Sequence, residues 1–255
     1  MRLTELNVYP LKSGGGTAMQ AASLTAKGLR YDREFMLVTL DGEMMTQRKY
    51  PRMAMLRPVY DGTVLTAGEF VHRPVDNGVV RGVTVWGDPC LGIDQGDGAA
   101  AWFSEFLQVE CRLVRFSGHR TTELGYGEAA FADGFPLLLI SQESLDDLNS
   151  RLGDPLPMNR FRPNLVVSGL GPFGEDLVRT LRIGDVVIDL VKPCGRCVLT
   201  TVDQSLGVKG REPLRTLATY RTIDQEIQFG QNAIPRSLGT LRVGDPIEIL
   251  EGHQP

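Results

Sequence analysis

The spacing of short apolar runs is the feature that most restricts the fold of this chain. In the N-terminal half such runs are six to eight residues long, and glycine, proline and aspartate separate them. They cover residues 3–9, 35–40, 53–59, 79–86 and 111–116. Runs of this length are typical of β-strands, and the Asp41-Gly42 pair favours a hairpin turn. The pattern predicts a barrel or a sandwich rather than a doubly wound sheet.

One helix is predicted to interrupt these strands, over residues 99–107. Trp102, Phe103 and Phe106 share one face at helical spacing. We interpret these aromatic side chains as core packing.

The second half mixes strands with one capped helix. Residues 135–140 predict a buried strand that leads into a helix over residues 141–152, with Ser141 as its N-cap. Further strands are expected at residues 164–168, 181–183, 186–191 and 246–250. The glycine-rich stretch 117–134 has the least pattern and is predicted to link the two halves. The fold class is therefore mainly β with a few helices, an α+β protein.

Charge and composition limit the possible functions. The 255 residues contain 27 Lys and Arg against 31 Asp and Glu, for a formal net charge of -4. This balance argues against a nucleic-acid or membrane surface, so any anion site must be built locally. No apolar run approaches 18 residues, and the first residues lack a secretory signal, so we expect a cytoplasmic protein. The three histidines are far apart, which argues against a histidine-rich metal site.

The pair Cys194 and Cys197 carries the most specific chemistry. Arg196 lies between the two cysteines and Lys192 precedes them, and nearby positive charge favours the thiolate that attacks or ligates. A soft thiolate suits zinc, an iron–sulfur cluster or molybdenum better than magnesium or calcium. A zinc site would need two further ligands, and a thioredoxin-like pair would open a helix. Both alternatives remain open at this point.

Two basic segments are candidates for binding an anion. Pro163 favours an extended backbone, in which Arg160, Arg162 and Asn164 would share one face as a fork-shaped array of donors. The alternative is a surface strand with solvated charges. Near the N-terminus, Lys12-Ser13 precedes three glycines, which are the ingredients of an anion nest but not of a P-loop. Asp32-Arg33 and Gln47-Arg48 add two weaker basic candidates.

Taken together, the motifs resemble those of MOSC-domain proteins with a MOSC N-terminal barrel, the group of YcbX-like proteins and mitochondrial amidoxime-reducing components. The motifs occur in the family's order and cover nearly the whole chain. They are Tyr9-Pro-Leu-Lys-Ser, Gly28-Leu-Arg-Tyr-Asp-Arg, Thr46-Gln-Arg, Phe135-Pro-Leu-Leu-Leu-Ile-Ser, Asn159-Arg-Phe-Arg-Pro-Asn, Cys194-Gly-Arg-Cys and Glu212-Pro-Leu-Arg-Thr-Leu. One departure is Gly14, where relatives often carry cysteine.

The resemblance implies a division into domains and a cofactor. It implies a MOSC N-terminal β-barrel domain over residues 1–120 and a MOSC β-barrel domain over residues 121–255, with a molybdenum–molybdopterin cofactor at their interface. Cys197 would be the catalytic residue and the protein's ligand to molybdenum, with Cys194 as a neighbour. Contacts to the pterin and its phosphate would come from Lys12, Ser13, Arg33, Ser141, Arg162 and Asn164, with Arg160 added from the donor array. The family is also associated with pyridoxal phosphate binding and detoxification.

The resemblance also implies a reaction. The expected substrates are small N-hydroxylated compounds, namely hydroxylamines, amidoximes or N-hydroxylated bases, which lose their oxygen at molybdenum. This chain lacks the cysteines of a plant-type ferredoxin domain, so we expect no iron–sulfur cluster and a separate flavoprotein or ferredoxin as electron donor. The rival interpretation is a sulfur carrier or cofactor-handling protein with a persulfide on Cys197. No nucleic-acid or membrane partner is expected.

Overall fold

The computed structural model describes residues 1–252, and it is built mainly from β-strands with three α-helices, as predicted. The strands are β1 (Arg2–Val8), β2 (Thr17–Met19), β3 (Ala21–Thr25), β4 (Gly28–Leu29), β5 (Phe35–Val38), β6 (Val59–Tyr60), β7 (Leu65–Ala67), β8 (Phe70–His72), β9 (Val80–Val85), β10 (Asp88–Asp94), β11 (Arg112–Ser117), β12 (Leu137–Ser141), β13 (Leu165–Ser168), β14 (Val178–Ile183), β15 (Val186–Gly195), β16 (Thr222–Ile223), β17 (Glu226–Pro235), β18 (Gly239–Arg242) and β19 (Ile247–Gly252). The helices are α1 (Asp97–Leu107), α2 (Gln142–Ser150) and α3 (Leu214–Leu217). None of the helices within residues 1–252 has both the length and the apolar character needed to cross a membrane.

The largest sheet joins the two ends of the chain. Its order is β19-β14-β15-β17-β12-β13-β1-β2, with β16 paired to β17. The N-terminal strand β1 lies antiparallel to β13, with Leu3 opposite Val167 and Leu6 opposite Leu165. These residues belong to one core of buried aliphatic side chains. Because β1 and β13 are antiparallel neighbours, the residues that follow β1 lie beside the residues that precede β13.

A second core lies in the N-terminal half. The sheet β5-β11-β10-β9 and the small sheet β6-β7-β8 are found here, and α1 packs against β11. Phe103 is fully buried in this core, and Trp102 and Phe106 are packed partly buried against it. The prediction that the aromatic face of this helix is core packing is confirmed.

Three parts of the predicted pattern are wrong. Residues 53–59 are not a strand, because Pro51 opens a 3-10 helix (Pro51–Met55) and only β6 follows it. The ten-residue strand β17 was not predicted, since polar residues such as Gln228, Gln231 and Asn232 interrupt its apolar pattern. The stretch 117–134 is not a loose linker. Phe131 is fully buried there, and Arg120 donates hydrogen bonds to three main-chain carbonyls of the same stretch.

Candidate functional site

A cavity of about 380 Å³ lies between residues from both halves of the chain. Six basic and three acidic side chains line it, together with both cysteines of the C-x-x-C pair. The basic residues are Lys12, Arg33, Arg48, Arg162, Lys192 and Arg196, and the acidic ones are Glu123, Asp133 and Glu226. Since the whole chain carries a negative net charge, this cavity is a local concentration of positive charge.

Two arginines of the cavity wall enclose a buried tyrosine, Tyr9. The guanidinium carbons of Arg33 and Arg162 lie 4.3 and 4.4 Å from the centroid of the Tyr9 ring. Burial raises the pKa of Tyr9 to about 12, and its hydroxyl donates to the Pro163 carbonyl at 3.1 Å. Arg162 is only 6% exposed, and burial together with the charge of Arg33 lowers its pKa to about 10. A bound anion would relieve the repulsion between these two cations.

Lys12 adds a third cation, and its side chain is buried. Its ammonium donates to the Phe131 carbonyl at 2.7 Å and to the carboxylate of Asp133. Burial lowers the pKa of Lys12, and Asp133 offsets this only in part. Desolvation by the surrounding protein opposes ionisation of Asp133, but Lys12 holds the pKa of this partly exposed carboxyl below its usual range. We call Lys12, Arg33 and Arg162 the cation cluster.

The backbone is strained where it enters the cavity. Nine non-glycine residues of the described chain have positive φ, and four of them line the cavity. These four are Ser13 (62°), Arg33 (48°), Trp86 (53°) and Arg162 (60°). Residues held in this region of φ and ψ are concentrated at functional sites, where the surrounding structure maintains the strain. The strained backbone is therefore an indication of a functional site that does not depend on the charge of the cavity.

The two cysteines of the C-x-x-C pair also line the cavity. Cys197 is partly buried and precedes a 3-10 helix (Val198–Thr201), where its carbonyl accepts hydrogen bonds from the amide and hydroxyl of Thr200. Arg196 contacts the other cysteine, because its Nη1 lies 2.9 Å from Cys194 Sγ while its Nη2 donates to the Phe161 carbonyl. Both cysteines are free thiols.

Two guanidinium nitrogens in the cavity wall still lack acceptors. Arg48 Nε and Arg196 Nε are buried and have no hydrogen-bond partner within residues 1–252. Unpaired buried donors are costly, and an acceptor supplied by a ligand would remove this cost. Together with the cation cluster and two thiols, they fit a group that combines a phosphate with a soft metal. Within the described residues, no group of three or more His, Cys, Asp or Glu side chains is placed to hold a metal ion.

Six of the residues predicted for the site meet in this cavity. They are Lys12, Ser13, Arg33, Arg162, Asn164 and Cys197. Asn164 is fixed by its neighbours, because its side chain donates to the Asn7 carbonyl and accepts from Arg33 and from the Leu138 amide. Arg48, the basic residue of the Gln47-Arg48 pair, also lines the cavity.

The structure does not bring Arg160 into the cavity. Arg160 ends a 3-10 helix (Met158–Arg160), and its guanidinium donates to the Thr201 carbonyl and to Asp203. The predicted extended segment, with Arg160, Arg162 and Asn164 on one face, is wrong because Arg162 has positive φ. We therefore leave Arg160 out of the site.

Ser141 is the N-cap of α2, as predicted, but it does not line the cavity. Its hydroxyl accepts a hydrogen bond from the Ser144 amide, and its own amide donates to Glu175. The side chain is fully buried and has no room for a cofactor phosphate. We leave Ser141 out of the site as well.

The three glycines after Ser13 do not form an anion nest. The amides of Gly14 and Gly15 donate to the carbonyls of Leu11 and Leu56, so they are not available to a ligand. A Cβ on Gly16 would lie 2.4 Å from the Tyr9 ring. These glycines allow close packing instead. Trp86 and Asp133 were not predicted, although a Trp-Gly pair between two apolar runs is a signal that could have found the first of them.

Comparison with known proteins places the chain in a family. The model of the MOSC N-terminal beta barrel domain matches residues 1–110, and that of the MOSC domain matches residues 127–248. Mitochondrial amidoxime-reducing component 1 of Mus musculus is 36% identical over 97% of this chain and 82% of its own length. The chain belongs to this MOSC family.

Other members of the family show the same degree of similarity. The Homo sapiens component 1 is 35% identical over 97% of this chain and 82% of its own length, and component 2 of Rattus norvegicus is 36% identical over 94% and 80%. The fold is therefore a MOSC N-terminal barrel followed by a MOSC domain, as predicted. The boundary between residues 120 and 121 stays a prediction.

Proposed function

We propose that this MOSC protein is a molybdenum-cofactor-dependent reductase of small N-hydroxylated compounds. One observation carries the proposal: Cys197 and the cation cluster line the same cavity. The names of the mitochondrial amidoxime-reducing components support a reductive activity on such substrates. Electrons would come from a separate flavoprotein or ferredoxin.

Two groups of cavity residues would hold different parts of the cofactor. The cation cluster, with Ser13 and Arg48, would bind the phosphate and the polar edge of the pterin. Cys197 would provide the thiolate ligand to the metal. Arg196 contacts the Cys194 thiol, and the choice of Cys197 as the ligand, with Cys194 as its neighbour, follows the resemblance to the family. When bound, the cofactor supplies the two-electron chemistry that removes the substrate's oxygen.

The protein's own residues would also prepare the cavity for substrate. The side chains of Lys12, Arg162 and Tyr9 are buried, so they would keep this part of the site poor in water. Asp133 remains ionised between Lys12 and Trp86, and half of its side chain is exposed, so it can accept a hydrogen bond from an N–H group of a substrate.

The proposal is tested by metal analysis and turnover of protein purified from a host that makes the cofactor. We expect close to one molybdenum per chain and reduction of benzamidoxime to benzamidine with a chemical electron donor. Cys197→Ala should lose both, whereas Cys194→Ala should keep molybdenum.

Other outcomes would overturn the proposal. Protein without molybdenum but with sulfane sulfur on Cys197 would indicate a sulfur carrier. Equal defects in the two alanine variants would indicate a zinc or redox pair that uses both cysteines. Activity on sulfoxides alone would keep the metal assignment and reject the substrate class.

A further inference from the structure

Trp86 occupies a position that its residue type does not favour. It forms, with Gly87, the two-residue turn between β9 and β10, where Val85 pairs with Asp88. The φ angles of Trp86 and Gly87 are 53° and 88°, values at which hairpin turns favour Asn-Gly or Asp-Gly. A bulky residue with positive φ is an outlier that persists only where its surroundings hold it.

Polar contacts, not apolar packing, hold the Trp86 ring. Its Nε1 donates to Asp133 at 2.8 Å, and the guanidinium carbon of Arg48 lies 4.0 Å from the ring centroid. The residue is nevertheless 47% exposed and lines the cavity. The other tryptophan of the chain, Trp102, packs instead among the aromatic side chains of the N-terminal core.

We propose that Trp86 is an aromatic subsite in the cavity wall, which binds planar, ring-bearing substrates by stacking. Asp133, fixed at the edge of the same ring, accepts a hydrogen bond from the amidine-like N–H groups of such a substrate. This subsite would favour aryl amidoximes and N-hydroxylated bases over aliphatic amidoximes. The inference rests on the proposed function and narrows its substrate class.

Two variants separate stacking from the hydrogen bond to Asp133. Trp86→Leu removes both the ring and the indole N–H, whereas Trp86→Phe keeps a ring without the donor. In the holoenzyme we expect Trp86→Leu to lower kcat/KM for benzamidoxime about tenfold or more, mainly through KM, because stacking of a planar ring on an aromatic side chain is of this size. We expect little change for acetamidoxime, and Trp86→Phe should keep most of the preference for benzamidoxime.

Three results would overturn the subsite. The first is an equal loss for the aryl and the aliphatic substrate. The second is a Trp86→Phe variant as defective as Trp86→Leu, which would mean that the indole acts only by holding Asp133. The third is a loss of molybdenum in Trp86→Leu, which would mean that the ring contacts the cofactor. Trp102→Phe, which does not alter the cavity, is the matched control.

A binding measurement tests the subsite without turnover. In Trp102→Phe protein, Trp86 is the only tryptophan, so its fluorescence reports on the cavity wall. We expect saturable quenching by benzamidine, which has no oxygen to lose, and much weaker quenching by acetamidine. If this quenching occurs but no amidoxime is reduced, the proposed function fails and the subsite stands. If benzamidine does not quench, the subsite is wrong whatever the activity.

Discussion

Two buried polar clusters of this protein could each bind an anion, and only one of them leaves room for it. At the start of α2, the carboxylate of Glu175 accepts hydrogen bonds from the Ser141 amide and from the Ser144 hydroxyl. The chain thus supplies its own anion at this helix N-terminus. In the cavity, the cation cluster has two ionic partners among residues 1–252, Asp32 and Asp133, and Nε of Arg48 and of Arg196 has no acceptor in this part of the chain.

The difference teaches how a phosphate site is recognised. A helix N-terminus with a serine cap has the right donors, yet it is closed when a carboxylate from elsewhere in the fold fills it. The cation cluster has a high electrostatic cost without a ligand, because burial lowers the pKa of Lys12 and of Arg162. The cation cluster, which is open and only partly compensated by carboxylates, is therefore the better site, although both clusters contain the required residue types.

The largest expected effect is a loss of cofactor retention when a residue of the cation cluster is removed. Arg162→Ala should weaken cofactor binding by about 1.5–3 kcal/mol, the usual size for a charged hydrogen bond, or roughly 10- to 150-fold. Arg160→Ala is the matched control, because Arg160 lies two residues away and bonds to Thr201 and Asp203 instead. The measurement is molybdopterin occupancy under limiting cofactor supply. Equal occupancy in wild type and Arg162→Ala would remove Arg162 from the site.

A medium effect is expected when inorganic phosphate is added to the cofactor-free protein. Phosphate at ten times its Kd should stabilise the wild type by about 1.4 kcal/mol, since it binds only the folded state. Arg162→Ala should lose most of this gain in thermal unfolding, and Glu175→Gln should keep it. A gain that disappears in Glu175→Gln but survives in Arg162→Ala would place the anion at α2 and reverse the comparison.

The smallest effect concerns only the polar cluster at the start of α2, in which Glu175 accepts the hydrogen bonds. Burial raises the pKa of Glu175 above its ordinary value of 4.5, so the folded state binds this proton more tightly than the unfolded chain. The free energy of unfolding should therefore fall as pH rises from 4.5 through the raised pKa. In Glu175→Gln this contribution should vanish, which denaturant unfolding of both proteins across pH 4.5–7 would measure. Identical pH slopes would contradict the assignment.

The sequence predicts the strand-rich fold and several elements well, because turn residues and apolar runs are local signals. The helix N-cap at Ser141 and the aromatic face of α1 follow from such signals. The strand β17 does not, since its polar residues serve the cavity wall and buried hydrogen bonds.

Within the site, the sequence predicts which residue types occur, but it does not predict which side chains point into the cavity. Arg160 and Arg162 have the same side chain, and only the positive φ at Arg162 directs one of them into the cavity. The role of Ser141 depended on Glu175, 34 residues away in sequence. The Trp86-Gly87 pair is a local turn signal, but the contacts of Trp86 with Arg48 and Asp133 join residues that are far apart in sequence, so they could not be predicted.

The central claim is that the thiolate of Cys197, which lines the same cavity as the cation cluster, binds the metal. X-ray absorption at the molybdenum edge tests it most directly, in wild type, Cys194→Ala and Cys197→Ser proteins loaded with cofactor. We predict that Cys197→Ser has one molybdenum–sulfur contact fewer than the wild type, while Cys194→Ala is unchanged. Loss of that contact in Cys194→Ala, or its persistence in Cys197→Ser, would contradict the account.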